Sequence, residues 1–334
     1  MRIATWNVGL ERPGPGLLLR DIDRGGDPQV AAIRRIIIAL DADILVLTGF
    51  DHDPALHALA ALAGQLAADG TPYPHLFALN GNNGLPTGFD IDADGRTLEP
   101  EDAMGWGRFP GAGGSAILSR LPILIPEVRD FTTFLWRDLP QSLIPPATDP
   151  GLAAVQRLSS HGHWQVPVTL PDDSRLDLLI WHATPPVFDG PEDRNGRRNH
   201  DEAAFWLHFL AGRLPFSPPA DPVVLLGDAN LDPMDGEGRP DALRALLTHP
   251  RLQDPAPQGS HSRHDPEQQG NPRLDTALYD QLGGLRLDYI LHDRHLRVTG
   301  AGVLWPATGE PLLALLDAAS HHRPVWIDIA LGPD

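Results

Sequence analysis

Polar residues of chemically useful types stand where apolar stretches of this chain begin or end. They are Asn7 after "ATW", His182 after "LLIW", Asp228 and Asn230 in "GDANLD" after "VVLL", Asp288 in "LRLDYIL" and His322 before "PVWIDI". Carboxylates can orient or deprotonate water, imidazoles transfer protons, and amides hold water or phosphate. Each residue alone is equally well explained as a turn or core residue, so the hypothesis of a hydrolytic site depends on the whole set.

The apolar stretches beside these residues predict the strands that position them. They cover residues 3–6, 44–47, 116–118, 176–181, 223–226, 287–291 and 325–329. Strand-length apolar runs of this kind are typical of buried strands. Because groups at strand ends meet at one edge of a sheet, we expect the polar residues to converge there.

Helical patterns separate several of these strands. One begins at Pro28 in "DPQVAAIRRIIIAL", one follows Asp53 as a candidate N-cap, and one, "NHDEAAFWLHFLAGRL", ends before Pro215. Both halves of the chain thus contain strands with helices between them, which predicts two packed sheets with helices outside. Segments 80–114, 138–160, 183–198 and 254–284 are rich in Pro, Gly and Asn and are expected to be irregular loops that carry function or are disordered.

Composition limits the classes of protein to consider. The chain has 334 residues with 42% hydrophobic content and no apolar stretch of membrane-spanning length, so we expect a soluble, monomeric protein with one domain over 1–334. Its 26 basic residues, all arginine, face 44 acidic ones, and the net charge of −18 makes nucleic-acid binding unlikely. A small phosphorylated substrate remains compatible with this charge. The absence of cysteine excludes a thiolate nucleophile and zinc–thiolate sites.

The first residues, "MRIATWNV", resemble a strand rather than a leader peptide. This start predicts a cytoplasmic protein; a periplasmic or secreted protein whose signal peptide had been removed would begin in the same way.

Six segments in one order resemble the endonuclease/exonuclease/phosphatase superfamily, with its DNase I-like fold. They are "TWNV", "GGSAILSRLPI", "LIWHATPP", "GDANLDP", "LRLDYIL" and "SHHRPVW", and they extend over nearly the whole chain. The resemblance implies a four-layer α-β-β-α sandwich and a metal-dependent phosphoesterase that cleaves a small phosphodiester or phosphomonoester with activated water.

The same resemblance assigns roles to residues. Asp228 corresponds to the group that orients or deprotonates the attacking water, and Asn230 and Asn7 to groups that hold water, phosphate or metal. It implies that His322, paired with Asp288, binds the phosphate and that His182 is a second phosphate ligand.

Two positions depart from the family pattern. Gly49 stands where the family has a metal-binding glutamate, and His321 stands where it has an aspartate. Imidazole at His321 favours Mn or Zn over Mg, and Asp51 is a candidate substitute ligand. The alternatives are a catalytically impaired member that binds a phosphorylated ligand or partner and, less compatible with the charge, a nonspecific nuclease.

The stretch "DIDADGRTLEPE" has the spacing of a calcium-binding loop. Asp90, Asp92, Asp94 and Glu101 occupy its ligand positions, with a glycine at position 6. The pattern predicts an isolated calcium loop, since its flanks are not helical; the alternative is a solvated acidic turn.

An arginine-rich segment follows His182 directly. Arg194 and Arg197 are candidate phosphate ligands, because guanidinium groups bind phosphate oxygens in pairs. A salt-bridged structural loop is the alternative interpretation.

Overall fold

A computed structural model describes residues 1–261, 263 and 265–331. Over the described residues the chain forms fourteen strands: β1 (Arg2–Leu10), β2 (Ile44–Phe50), β3 (His75–Phe77), β4 (Gly114–Ser119), β5 (Arg129–Asp130), β6 (His163–Thr169), β7 (Arg175–His182), β8 (Val223–Asp228), β9 (Leu252–Gln253), β10 (Ala277–Tyr279), β11 (Gly283–Leu285), β12 (Asp288–Asp293), β13 (Val298–Val303) and β14 (Val325–Ile329).

Over the same residues it forms seven α-helices: α1 (Leu17–Arg24), α2 (Pro28–Leu40), α3 (His57–Ala68), α4 (Pro150–Val155), α5 (Arg194–Leu210), α6 (Asp241–Leu247) and α7 (Pro311–Ala319). Short 3-10 helices lie at Pro100–Asp102, Ile125–Glu127, Trp136–Asp138 and Pro272–Leu274. No helix in the described part of the chain is long and apolar enough to cross a membrane.

The strands form two mixed six-stranded sheets and one short hairpin. The first sheet has the order β13-β14-β1-β2-β4-β3, the second has the order β5-β6-β7-β8-β12-β9, and β10 pairs with β11. Each large sheet has one central parallel pair, β1 with β2 and β7 with β8, and its other pairs are antiparallel. The predicted architecture of two mixed sheets with outer helices is confirmed.

Three apolar layers hold the sandwich together. Alternate residues of the strands, such as Ile3, Val46 and Leu226, fill the space between the sheets. The intervening residues of the first sheet pack against α1, α2, α3 and α7, and those of the second sheet pack against α5 and α6. Because side chains alternate along a strand, each strand contributes to two layers.

α2 begins at Pro28 as predicted, whereas the N-cap of α3 is Leu56 and not Asp53. The Asp27 carboxylate accepts the N–H of Val30, and Pro28 occupies the first turn of α2. The Asp53 carboxylate accepts the N–H groups of His57 and Ala58, although α3 begins only at His57.

Some expected loops contain regular structure. The predicted loop 183–198 ends inside α5, which starts at Arg194, and 138–160 contains α4. Pro150 and the N-cap Asp149 start α4, a signal that the surrounding Pro-rich composition obscures.

Candidate active site

The polar residues at the strand ends lie on the side of each strand that faces the other sheet. Two positions away along the same strand lies an apolar residue of the inter-sheet layer: Ile180 for His182, Leu226 for Asp228 and Ile290 for Asp288. The two-residue period of a strand therefore places these polar side chains beyond the last apolar residues, at one rim of the sandwich.

Strand register places Asp228 at the centre. It lies opposite His182 across the parallel pair β7 and β8, and opposite Asp288 across the antiparallel pair β8 and β12. Asp228 and Asp288 have no exposed surface, and His182 and His322 are buried as well. Four of the predicted catalytic residues thus come together.

Hydrogen bonds fix the Asp228 carboxylate on both oxygens. Its Oδ1 accepts the N–H of Asn230 at 2.8 Å, and its Oδ2 accepts Nδ2–H of Asn7 at 2.8 Å. Asn230 has a left-handed φ of 49° and donates its own side-chain amide to the Ala183 carbonyl. Asn7 and Asn230 therefore orient the carboxylate from two sides.

His322 stands between two buried carboxylates. Its Nδ1 lies 2.8 Å from Asp288 Oδ2 and 4.0 Å from Asp228 Oδ2. Although burial opposes protonation, the carboxylates of Asp288 and Asp228 raise the pKa of His322 to about 9. Burial and the neighbouring Asp288 in turn raise the pKa of Asp228. His322 is therefore cationic at neutral pH.

Tyr279 and Thr276 complete the surroundings of His322. The Tyr279 hydroxyl lies 3.0 Å from His322 Nε2, and Thr276 donates its hydroxyl to Asp288 Oδ2 at 2.8 Å. Both residues belong to a segment expected to be a loop, 254–284; Tyr279 ends β10, and Thr276 directly precedes that strand. The short alternating stretch "TALY" was the available signal, but three residues are too few to distinguish a strand from a turn.

His182 is neutral, in contrast to His322. Burial and the adjacent His161 lower the pKa of His182 well below its usual value. Its Nε2 lies 3.5 Å from Asp228 Oδ2, and in the described part of the chain its buried Nδ1 has no hydrogen-bond partner. The site thus combines one cationic and one neutral imidazole.

A buried polar network supports His182 from behind. The His161 ring stacks on the His182 ring at 3.6 Å, and its Nδ1 lies 3.0 Å from the His182 carbonyl oxygen. Glu202 of α5 accepts the N–H and hydroxyl of Ser160 and the N–H of Thr184. Burial raises the pKa of Glu202 to about 7. Sequence reasoning missed this network, since it is recognisable only as two charged residues, at 198 and 202, on one face of a helix.

The backbone of Gly49 packs against the Asn7 side chain. It has a left-handed φ of +66°, and a Cβ atom there would lie 2.4 Å from Asn7 Oδ1 and 3.1 Å from the Gly9 nitrogen. Asn7 Oδ1 accepts the N–H of Gly9 at 3.1 Å. The position at which the family has a glutamate is therefore filled by the chain itself.

Asp51 and His321, two further candidate metal ligands, make other contacts. Asp51 accepts the N–H of Gly113 at 2.9 Å and that of Arg12 at 2.8 Å, and so joins two loops. His321 is exposed, its Nδ1 lies 3.1 Å from the Leu278 carbonyl oxygen, and its ring stacks on Tyr279.

Asp228, Asp288 and His322 form a group that could hold a metal ion. One potential ligand atom of each lies within 4.8 Å of the others, and no group in residues 1–261, 263 and 265–331 forms a hydrogen bond with the buried Asp288 Oδ1. Within the described residues this group contains neither Asp51 nor His321, while Asn7 lies beside it and donates to Asp228. The two carboxylates suit Mg or Mn, whereas His322 could join them only as a neutral imidazole, which would favour Mn or Zn over Mg.

The arginines after His182 form hydrogen bonds within the protein. Arg194 donates to Gln156 Oε1 at 2.6 Å, and Arg197 donates to the Glu192 carbonyl at 2.9 Å. Arg198 donates to the carbonyls of residues 157, 158 and 159. These contacts match the structural interpretation of the segment.

A cleft of about 440 Å³ opens beside the site. It is lined by Asn7, Gly9, Gln29, Tyr279, Asp317, Ala318, Ala319, Ser320, His321 and His322. Its size matches a small ligand.

In the 90–101 loop, Asp90 and Asp92 approach Asp102. Asp94 accepts the N–H of Arg96, and Glu101 accepts Nε1–H of Trp106.

Comparison with known proteins identifies one family. The profile of the Endonuclease/Exonuclease/phosphatase family matches residues 4–317. The comparison with curated proteins returns no match.

Solved structures share the fold at low sequence identity. An endonuclease/exonuclease/phosphatase from Beutenbergia cavernae DSM 12333 has a TM-score of 0.58 and 20% identity, covering 99% of this chain and 72% of the other. The mannosyl-6-phosphatase of Bacteroides thetaiotaomicron VPI-5482 has a TM-score of 0.54 and 14% identity, covering 99% and 100%. Sphingomyelinase C from Streptomyces griseocarneus has a TM-score of 0.51 and 18% identity, covering 99% of each chain.

Proposed function

Because the chain belongs to the Endonuclease/Exonuclease/phosphatase family, we propose that it is a divalent-metal-dependent phosphoesterase. Its substrate would be a small phosphodiester or phosphomonoester, and the nucleophile an activated water molecule. The observation that carries this proposal is the placement of Asp228 in register between His182 and Asp288, with protonated His322 beside both carboxylates.

Asp228 is the proposed water-orienting group. Since Asn7 and the Asn230 amide hold its two oxygens, the carboxylate cannot rotate, and a water molecule bound to it has one direction of attack. Burial raises the pKa of this carboxyl group, which makes it a stronger base than an exposed aspartate.

His322 and His182 are the proposed phosphate ligands. Cationic His322 would donate a hydrogen bond to a phosphoryl oxygen through Nε2, the nitrogen on the Tyr279 side, while Asp288 holds Nδ1. Neutral His182 supplies a second hydrogen-bonding group, and because its pKa is lowered it does not take the proton from His322. A cation held by the Asp228 and Asp288 carboxylates would add positive charge opposite the phosphoryl group.

The proposed substrate is small and is not a nucleic acid. The adjoining cleft measures about 440 Å³, and the net charge of −18 repels a polyphosphate backbone. The presence of a mannosyl-6-phosphatase among the structures with this fold is in keeping with such a substrate.

A binding protein without turnover is the second candidate. The observation that favours it is Gly49, where a side chain such as the glutamate of the family pattern would force Asn7 or the backbone to move. Such a protein would keep the cationic His322 and bind a phosphorylated ligand or partner.

Turnover of activated phosphodiesters and phosphomonoesters with Mg²⁺, Mn²⁺ or Zn²⁺ tests the proposal. Asp228→Asn is the catalytic variant, and Asp177→Asn is its matched control. Asp177 is an equally buried carboxylate in β7, five residues from His182, and binds Gln165 and Arg175.

We expect Asp228→Asn to lose at least a hundredfold in turnover, the usual range for a general base, and Asp177→Asn to retain it. Unchanged turnover in Asp228→Asn refutes the assignment. Absence of turnover with every metal, together with phosphate binding by calorimetry, selects the binding protein. Cleavage of plasmid DNA at low salt contradicts the small substrate.

A further inference from the structure

Three carboxylates, those of Asp90, Asp92 and Asp102, meet in the loop before β4. A carboxylate oxygen of buried Asp102 lies within 4.8 Å of one from Asp90 and one from Asp92. Within the described residues, no arginine or histidine forms an ion pair with any of the three. Because Asp90 and Asp92 are exposed, their repulsion acts mainly on buried Asp102, and a cation bound between the three carboxylates would offset it.

Asp102 provides the second, independent sign of a ligand. Only 1% of its surface is exposed, and its buried Oδ2 has no hydrogen-bond partner among the described residues, while its Oδ1 accepts the N–H of Ile91. An unpaired buried carboxylate oxygen is costly unless something positive occupies the space beside it.

We propose that Asp90, Asp92 and Asp102 bind a calcium ion. The donors are oxygens without an imidazole, which favours a hard cation. They lie in an irregular loop, and calcium accepts flexible geometry and additional carbonyl or water ligands, whereas magnesium requires a near-ideal octahedron.

This ligand set differs from the one that the calcium-loop spacing predicts. In the pattern, the closing ligand is Glu101, but its Oε1 accepts the indole N–H of Trp106 at 3.2 Å. A 3-10 helix over Pro100–Asp102 buries the next residue instead, so Asp102 takes the closing position. Asp94 caps the turn by accepting the N–H of Arg96.

The ion would stabilise the backing of the active site. Gly105, three residues after Asp102, packs so closely on Ser160 that a Cβ would lie 1.9 Å from the Ser160 carbonyl oxygen. The Asn82 amide donates to the His161 carbonyl, and the Gly105 amide donates to the Asn82 carbonyl. Calcium at Asp102 therefore fixes the segment that holds His161 against His182.

Calcium titration by calorimetry and limited trypsin digestion test the site. The chain has no lysine, and Arg96, with an exposed side chain, is the cleavage point inside the loop. We expect calcium, and not magnesium at the same concentration, to bind and to slow cleavage after Arg96 at least tenfold.

The decisive comparison is Asp102→Asn against Glu101→Gln. We expect Asp102→Asn to lose calcium binding and protection, and Glu101→Gln to retain both. Equal protection in both variants, loss in Glu101→Gln alone, or no calcium binding by the unaltered protein overturns the proposal. Circular dichroism without calcium verifies that Asp102→Asn is folded.

Discussion

Replacing Gly49 by alanine tests whether the backbone at this position can accommodate a side chain, as it must for the glutamate of the family pattern. The new Cβ would lie 2.4 Å from Asn7 Oδ1, a separation that real Cβ atoms do not show. Asn7 or the backbone must therefore move, and Asn7 is one of the two residues that orient Asp228.

The expected loss of stability has two parts. An L-residue at a left-handed φ costs about 1–2 kcal/mol. Displacing Asn7 breaks its hydrogen bond to a carboxylate, which contributes about 1.5–3 kcal/mol. We therefore expect Gly49→Ala to lower the free energy of unfolding by about 2.5–5 kcal/mol.

Gly25→Ala is the matched control. Gly25 has a φ of +68°, close to the +66° of Gly49, but a Cβ there meets nothing within 4 Å. It should lose only the conformational part, about 1–2 kcal/mol.

Urea denaturation of the two variants gives the comparison. A Gly49→Ala protein that is no less stable than Gly25→Ala would refute the steric argument. The glutamate of the family pattern would then be compatible with this backbone, and the loss of that ligand would have no structural cause.

Two further predictions concern the surroundings of His322. The pKa of His322 is raised to about 9 from an ordinary 6.5, so its contribution to stability is complete below pH 6.5 and is lost as the pH rises through 9. In metal-free protein this loss is about 3 kcal/mol. In His322→Gln, the urea concentration at the unfolding midpoint should therefore stay constant over that pH range. A midpoint that falls equally in His322→Gln contradicts the assigned charge. Thr276→Val removes a hydroxyl that donates to Asp288 and accepts the buried amides of residues 287 and 288, so the free energy of unfolding should fall by about 2–4 kcal/mol; a loss below 1 kcal/mol would show that these groups find other partners.

The strands and the convergence of the polar residues could be predicted from the sequence because each depends on a local pattern. Apolar runs end at His182 and Asp228, and the two-residue period of a strand then determines which side each residue faces. The same reasoning places Asp288, because antiparallel pairing brings the start of β12 to the end of β8. The convergence of these residues follows from alternation and strand direction alone.

Other features depend on contacts between distant segments. Asp51 was a candidate ligand because of its place in the chain, but two loop amides occupy its oxygens. The roles of Glu202 and Tyr279 depend on the packing of a helix and a short hairpin against the rim. The spacing of the loop pattern points to Glu101, and the burial of Asp102 in its place depends on the 3-10 helix over Pro100–Asp102.

The polar residues of the site and the apolar residues of the inter-sheet layer lie on the same side of the strands, so the size of the site is linked to the stability of the fold. Ile180, Leu226 and Ile290 are at once the floor beneath the polar rim and the end of the apolar layer between the sheets. A deeper cavity at this place can arise only by removing methyl groups from that layer, at about 1 kcal/mol for each. Variants that make room for a larger substrate by shortening these three side chains would therefore have a lower melting temperature. Substitutions in the cleft beside Tyr279 would leave the melting temperature almost unchanged.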